Sequence, residues 1–376
     1  MNENSLRVLE SLCNSFGPSG FEREPIKIAK QYIESSCDKI RFDKLGSLLF
    51  TKNGAADNPV ILLPGHIDEI GFVISGINEK GFLTFNTIGG WFSQVLLGQR
   101  VVIRTRSGDV PGVIAAKPPH VLSPEERNKV VEKEKMFIDI GCSNKKEAEF
   151  LGVRVGDPVV PYSTFSIIQK TAFEIKNGVE HDKGIVKLAM GKAFDDRVGV
   201  FIALEVVRRL REERIDHPNT VVGAATIQEE VGARGARTTA WLAEPDVCIT
   251  LEVDVAGDVP GVEAQQAQAA LGKGPAITTY DASMIPNQPL KEFVIEQAER
   301  NNIPYQLSSV ARGGTDAGEI HIMRAGCPSI VLGVPTRHIH SHVGLVCLDD
   351  IESCIQLVLK TVIKMDETVV KGFTEM

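Results

Sequence analysis

Long apolar runs are absent from the sequence: nowhere do about 18 apolar residues follow one another. The first ten residues also lack a basic segment leading into an apolar one, so neither membrane insertion nor export is signalled. Basic runs are missing as well, and the net charge is -8 with a pI near 5.6. Because such an acidic chain repels other polyanions, we expect neither nucleic acid nor a membrane among its partners.

Paired cysteines are absent too. The seven cysteines are odd in number, widely spaced and never arranged as CxxC. This argues against a disulfide framework and predicts small core residues of a protein in the reducing cytoplasm. Internal repeats and low-complexity tracts are likewise missing.

What is present is the composition of an ordinary globular protein, with 376 residues, 43% hydrophobic and 24% charged. Between residues 71 and 161, short alternating runs separated by Gly, Pro and Asn turns predict a small all-β barrel or sandwich. On both sides of it, strand patterns alternate with helical ones. This predicts an α/β fold, a mostly parallel sheet flanked by helices, formed by a discontinuous domain (1–70 and 162–376) that carries the β domain (71–161) as an insert.

Two adjacent carboxylates, Glu229 and Glu230, directly follow an apolar run (220–227) that predicts a buried strand. Neighbouring strand residues point to opposite faces and two carboxylates repel each other. The pair is therefore tolerated best where a cation takes one acid and proton transfer occupies the other. The alternative is a solvated pair at the start of a loop.

Histidines and acids follow the other predicted strands as well. His66 and Asp68 come after 59–63, Asp254 after 247–253, and His338 and His340 after 329–334. Because the carboxyl ends of parallel strands face one crevice, these side chains should meet there. Imidazoles with carboxylates, without cysteine, are ligands for zinc, cobalt or manganese in a hydrolytic site.

Asp195 stands at the start of a long helical pattern (198–212) and has two readings. It is a candidate for a carboxylate that bridges two metal ions, and equally for a helix N-cap. The Gly-rich segment RGGTDAG (312–318) is similarly open, because its Thr-Asp pair caps the next helix while its glycines let backbone approach a substrate.

Several motifs together resemble the tetrahedral dodecameric metallo-aminopeptidases, a family of glutamyl, leucyl and lysyl aminopeptidases in which some members are labelled endoglucanases. Besides the strand end at Asp254, the motifs are GHIDEIG (65–71), AFDDRVG (193–199), QEEVGARGA (228–236), RGGTDAG (312–318) and RHIHSHVG (337–344). The resemblance covers almost the whole chain, in order and with the β insert in its expected place. It implies a zinc-peptidase/phosphorylase-like fold.

Carried over motif by motif, the resemblance implies two divalent ions, zinc or cobalt, on five ligands: His66, Asp195, Glu230, Asp254 and His340. Asp195 would bridge the ions, with His66 and Asp254 on one ion and Glu230 and His340 on the other. Glu229 would be the general base and acid, and Asp68 would orient His66.

This sequence departs from the commoner family pattern after His340, where Ser341-His342 replaces Ser-Pro. Three histidines, at 338, 340 and 342, therefore alternate, and His340 is the ligand by motif position. A stretch at 175–187 is longer than usual and has no predicted role.

The expected function is removal of N-terminal residues from short peptides. A glycoside hydrolase is the alternative, but it normally uses two carboxylates without a metal. A non-catalytic binding protein would be expected to have lost Glu229 or a ligand, and none is lost. The β insert is expected to form a subunit contact, and a lid over the active site is the alternative. The resemblance implies that the insert forms dimers and that six dimers close into a hollow dodecamer. The preferred N-terminal residue is not predicted.

Overall fold

The computed structural model describes residues 1–176 and 179–375. The helices are α1 (Glu3–Asn14), α2 (Arg23–Ile33), α3 (Pro124–Arg127), α4 (Lys145–Phe150), α5 (Phe194–Glu212), α6 (Arg234–Ala243), α7 (Gln288–Arg300), α8 (Asp316–Ile320), α9 (Leu348–Val362) and α10 (Glu367–Lys371). The strands are β1 (Lys39–Phe42), β2 (Leu48–Asn53), β3 (Val60–His66), β4 (Gly71–Ile77), β5 (Leu83–Ile88), β6 (Arg100–Thr105), β7 (Gly108–Ala115), β8 (Phe137–Asp139), β9 (Pro158–Pro161), β10 (Ser166–Lys176), β11 (Val179–Gly191), β12 (Thr220–Thr226), β13 (Val247–Val255), β14 (Ala276–Tyr280), β15 (Gln306–Ser309), β16 (Ser329–Arg337) and β17 (Gly344–Cys347).

The main sheet is mixed, with the order β1-β2-β12-β3-β13-β16-β17-β11-β10, while β14 and β15 join it beside β16. The strands β12, β3, β13 and β16 run parallel at its centre. The pairs β1-β2, β10-β11 and β16-β17 are antiparallel, so the expectation of a mostly parallel sheet is corrected. For β1-β2 and β16-β17 a short connection accounts for the direction, because only antiparallel strands can be joined by a tight turn.

The central strands are buried on both faces. Along β3, Ile61 and Leu63 belong to one core cluster and Leu62 to another, because successive side chains point to opposite sides of a sheet. Helices α5 and α9 supply apolar residues to the first cluster, and α6 and α8 contribute to the second. Each fully buried Ile or Leu side chain contributes roughly 1.5–3 kcal/mol. The sheet edge that carries the strand ends is therefore held by a rigid core.

A small six-strand barrel follows β3 in the chain. It closes in the order β4-β5-β8-β7-β6-β9 and has its own core cluster. Phe72 lies in this core and stacks on Trp91 with ring centroids 4.7 Å apart. The Trp91 indole donates a hydrogen bond to the Gly71 carbonyl at 3.0 Å. These contacts fix the loop after β5 against the start of the barrel.

No helix in the described ranges is long and apolar enough to cross a membrane. All seven cysteines are free thiols. The stretch 175–187, to which no role is assigned, falls in the hairpin of β10 and β11, and its residues 177 and 178 lie outside the described residues.

Candidate active site

The candidate site lies where the parallel strands end. His66 is the last residue of β3 and is paired in register with Thr226, the last residue of β12. Glu229 and Glu230 come three and four residues after Thr226, and His340 lies three residues beyond the end of β16. Because these strands are parallel, their carboxyl ends share one edge of the sheet.

Asp195 lies between the two histidines. Its Oδ1 is 3.0 Å from His66 Nε2, and its Oδ2 is 3.3 Å from His340 Nε2. The helix-cap role falls to the next residue: the Asp196 carboxylate accepts the amide of Gly199 at 2.9 Å and that of His66 at 3.0 Å. Asp195 keeps a non-helical backbone and does not cap α5. Its two oxygens are therefore placed to serve two ligand sets.

The adjacent glutamates face different histidines. Glu230 Oε2 is 3.6 Å from His340 Nε2, whereas Glu229 Oε2 is 3.9 Å from His66 Nε2. The Glu230 side chain is the more deeply buried, with 4% of its surface exposed against 16% for Glu229. Two neighbouring acids thus occupy different parts of the same cluster, so they need not share a role.

Asp68 is fully buried beneath the glutamates. Its carboxylate accepts the backbone amides of Glu229 at 3.0 Å and Glu230 at 3.2 Å, and the Ser19 hydroxyl at 2.6 Å. Nδ1 of His66 is hydrogen-bonded to the Asp68 carbonyl at 3.1 Å, while the carboxylate is 3.6 Å away. Burial acts to raise the pKa of Asp68, but His66 and the donated hydrogen bonds outweigh it and lower the pKa. Asp68 therefore orients His66 through its backbone and fixes both glutamates through its side chain.

Glu252 is a site residue that sequence reasoning missed. It lies within β13, and its Oε2 is 3.9 Å from His66 Nε2. His66, Asp196 and Glu252 also form a group whose ligand atoms lie within 4.8 Å of one another, as do His66, Asp195 and Glu230. Burial, reinforced by Asp196, raises the pKa of Glu252 well above its ordinary value. An acid inside an otherwise apolar strand was the signal available in the sequence.

Asp254 does not join this cluster. It lies two residues beyond Glu252 on β13, on the same face but one pleat further along, and belongs to neither ligand group among the described residues. Asp254 is 5% exposed, and its Oδ1 has no hydrogen-bond partner in the part of the chain that the structure describes. The sequence expectation ended the strand at residue 253 and took the acid after it, whereas β13 continues to Val255 and contains both acids.

The site concentrates negative charge. Burial raises the pKa of both Glu229 and Glu230 to about 8, and neighbouring carboxylates, Asp195 among them, add to the effect. The hydrogen bond with Asp195 raises the pKa of His340 to about 9. Burial opposes ionisation of Asp195, but His340 and His66 hold the pKa of that carboxyl far below its usual range. Each acid favours a nearby cation, so the donor set fits divalent metal ions with imidazole and carboxylate ligands.

The barrel reaches the site through the loop after β5. A Cβ added to Gly89 would lie 2.8 Å from Glu230 Oε2, and one added to Gly90 would lie 3.0 Å from His340 Nδ1. The next residue, Trp91, packs against the ring of His342 at 5.2 Å between centroids. Neither ring nitrogen of His342 has a hydrogen-bond partner in the described residues, and burial lowers its pKa to about 4. His342 therefore serves as a packing residue here, while His340 reaches the cluster.

A cleft of about 680 Å³ opens beside these residues. The segment 312–315 lines it, and His338 contributes to the same wall. Thr315 also caps α8 by accepting the amide of Ala317 at 3.3 Å. The helix-cap alternative for the Gly-rich segment is therefore confirmed, and the approach of its backbone to a substrate stays a prediction.

An α/β sheet that gathers imidazoles and carboxylates at the carboxyl ends of its parallel strands defines a metal-dependent hydrolase. Residues 46–357 match the family model described as M42 glutamyl aminopeptidase. A glutamyl aminopeptidase of Lactococcus lactis is 31% identical over 335 residues, which cover 88% of each chain. The chain belongs to the M42 glutamyl aminopeptidase family.

Solved structures agree with this assignment. A TET aminopeptidase from a marine sediment archaeon of the Thaumarchaeota is 55% identical, with a TM-score of 0.93 over 99% of both chains. The TET1 peptidase of Pyrococcus horikoshii, which can assemble into a tetrahedron or a large octahedral shell, is 28% identical with a TM-score of 0.81, over 96% of this chain and 100% of that one. A structure from Thermotoga maritima named an endoglucanase is 28% identical with a TM-score of 0.73, over 97% and 99%.

Proposed function

We propose that this M42-family peptide hydrolase is an aminopeptidase that removes N-terminal residues from short peptides at a site for two divalent ions, zinc or cobalt. The observation that carries the proposal is the position of Asp195, with one oxygen beside His66 and the other beside His340. A carboxylate placed in this way suits an ion on each side. Imidazole and carboxylate donors are those that zinc and cobalt accept in hydrolytic sites.

Two ligand sets share Asp195. His66 and Glu252 would hold one ion, because their ligand atoms lie 3.9 Å apart. Glu230 and His340, with ligand atoms 3.6 Å apart, would hold the other. Glu252 replaces Asp254 in the ligand set implied by the sequence. When bound, two ions supply a more acidic water and polarise the carbonyl of the scissile peptide bond.

Glu229 is the proposed general base and acid. Its carboxylate lies 3.9 Å from His66, and its side chain is less buried than that of Glu230. Glu229 therefore lies beside the proposed metal ligands and also lines the cleft. Burial raises the pKa of Glu229 to about 8, and a bound cation would lower it toward neutral pH, where a carboxylate can take and return a proton. The proton taken from water would be delivered to the departing amine. The Asp68 carboxylate holds Glu229 in place by accepting a hydrogen bond from the backbone amide of Glu229.

The glycosidase alternative has less support. Among the proteins compared above, the endoglucanase name belongs to one solved relative, whereas the family model is that of an aminopeptidase. A glycosidase needs two free carboxylates flanking a sugar. Here Asp195, Glu230 and Glu252 converge on histidines instead.

We also propose that the barrel is an inserted domain that forms dimers, and that six dimers close into a dodecamer with the sites facing inward. The relative from Pyrococcus horikoshii assembles into a tetrahedron, which supports this view. Closed symmetric assembly is the usual arrangement for identical subunits. Such a compartment admits short peptides and excludes folded proteins. Seven free thiols favour a cytoplasmic location.

Hydrolysis of aminoacyl p-nitroanilides, compared with carboxymethylcellulose, tests the function before and after chelation. Glu229→Gln should retain both ions and lower turnover by roughly 100-fold or more, since only proton transfer is lost. Glu230→Gln is the matched control, because the same change one residue on should weaken one ion. Full activity in metal-free protein, or near-normal turnover in Glu229→Gln, would contradict the proposal.

A further inference from the structure

Asp254 remains without a role once Glu252 is assigned to the metal site. Asp254 lines the cleft and is only 5% exposed, and its Oδ1 has no hydrogen-bond partner among the described residues. A buried carboxylate oxygen without a donor is costly, so such atoms are normally matched by a partner. The partner is expected to come from the ligand that fills the cleft.

The surroundings of Asp254 have two chemical characters. Val259, Val262 and Val310 give the cleft apolar walls. A second acid, Asp281, also lines it; its Oδ1 accepts the Met284 amide at 2.7 Å, while its Oδ2 is buried without a partner. Apolar walls with two carboxylates that each keep one buried oxygen without a donor match a side chain that has an aliphatic stem and a cationic head.

We propose that Asp254, supported by Asp281, selects peptides whose N-terminal residue is lysine or arginine. The inference rests on the proposed aminopeptidase function, because it places the scissile bond beside Glu252 and the other ligands. Asp254 lies two residues further along the same face of β13, roughly 6–7 Å away by strand geometry. The four-carbon stem of lysine spans a distance of this order, so its ammonium group would meet the carboxylate.

Among the described residues that line the cleft, Arg312 is the one arginine or lysine. Arg312 is exposed, so solvent screens its charge more than that of a buried acid. A preference decided by Arg312 would favour acidic N-terminal residues instead. The two possibilities give opposite results with charged substrates.

The test compares lysyl and norleucyl p-nitroanilides, because norleucine keeps the lysine stem and lacks only the ammonium group. The wild-type holoenzyme should prefer the lysyl substrate, and Asp254→Asn should lower kcat/KM for it by about 30-fold or more, as expected for a broken buried charge pair. The norleucyl substrate should change little. Glu263→Gln, which removes an exposed acid of the segment that follows β13, is the matched control and should leave both values unchanged. Asp254→Ser provides a second variant if Asn disturbs folding.

Each outcome decides the matter. The proposal is overturned if the wild-type enzyme cleaves lysyl and norleucyl p-nitroanilides at equal rates, or if it prefers glutamyl p-nitroanilide. Either result leaves the aminopeptidase function intact. Loss of one metal ion from Asp254→Asn, measured by metal analysis, assigns Asp254 as a ligand and also overturns it. Failure of the wild-type holoenzyme to cleave any aminoacyl substrate refutes the proposed function and this inference together.

Discussion

Gly89 allows a sharp test of whether the barrel supports the metal site. A Cβ at this position would lie 2.5 Å from Ile70 Cγ2 and 2.8 Å from Glu230 Oε2, both closer than real contacts permit. The residue also has a φ of +78°, a left-handed backbone that costs an alanine about 1–2 kcal/mol. Gly89→Ala should therefore displace the Glu230 carboxylate. Shifts of groups that support a metal ligand typically weaken binding by about 10–100-fold.

A matched control separates the clash from the backbone cost. Gly98 belongs to the same region, has a φ of +79°, and has no atom within 4 Å of an added Cβ. Gly98→Ala should thus share the loss of stability in thermal unfolding but bind both ions normally. Calorimetric titration of the metal-free variants with zinc should show one weakened ion in Gly89→Ala alone. Equal binding by the two variants would refute the idea that this loop supports Glu230.

Two further predictions concern pH and assembly. Burial raises the pKa of Glu22 from 4.5 to about 7, so between pH 4.5 and pH 7 the folded state binds a proton that the unfolded state does not. The free energy of unfolding should therefore fall by up to about 3 kcal/mol as the pH rises through this range. Glu22→Gln keeps an acceptor for the amides of Gly20 and Gln228 and should lack this decline; thermal midpoints that differ equally at pH 5 and pH 8 would contradict it. Sedimentation should find a particle near twelve times 40.9 kDa, and a stable, fully active monomer would rule the compartment out.

Much of the site could be predicted because its residues follow the ends of apolar runs. Hydrophobic patterns locate these two strand ends to within a few residues: His66 is the last residue of β3, and Glu229 and Glu230 follow the end of β12. The structure brings these three together with Asp195 and His340. The sequence shows two adjacent acids, but it does not show that Glu229 faces His66 while Glu230 faces His340.

Glu252 and the barrel loop illustrate what could not be predicted. Glu252 lies inside a mostly apolar strand, where an acid signals a polar role but does not show which residue it will accompany. Its role depends on His66, which belongs to the neighbouring strand. Gly89 reaches Glu230 across 141 positions of the sequence, and only the packing of the barrel on the sheet creates that contact. The direction of the outer strands likewise depends on their connections rather than on their apolar content.

The treatment of buried acids distinguishes the site from the scaffold that holds it. Glu69, next to Asp68, is buried and paired with Lys192 at 2.6 Å and Arg197 at 3.0 Å. In the described ranges, no lysine or arginine forms an ion pair with Glu230 or with the other site acids, Asp195, Glu229 and Glu252, whose cationic neighbours are only imidazoles. The buried acid of the scaffold is therefore neutralised by a lysine and an arginine of the protein. The clustered acids of the site have no such partner, so a cation from solution is expected to neutralise them. Because unpaired buried carboxylates are unfavourable, this imbalance is a reason for metal binding that does not depend on any relative.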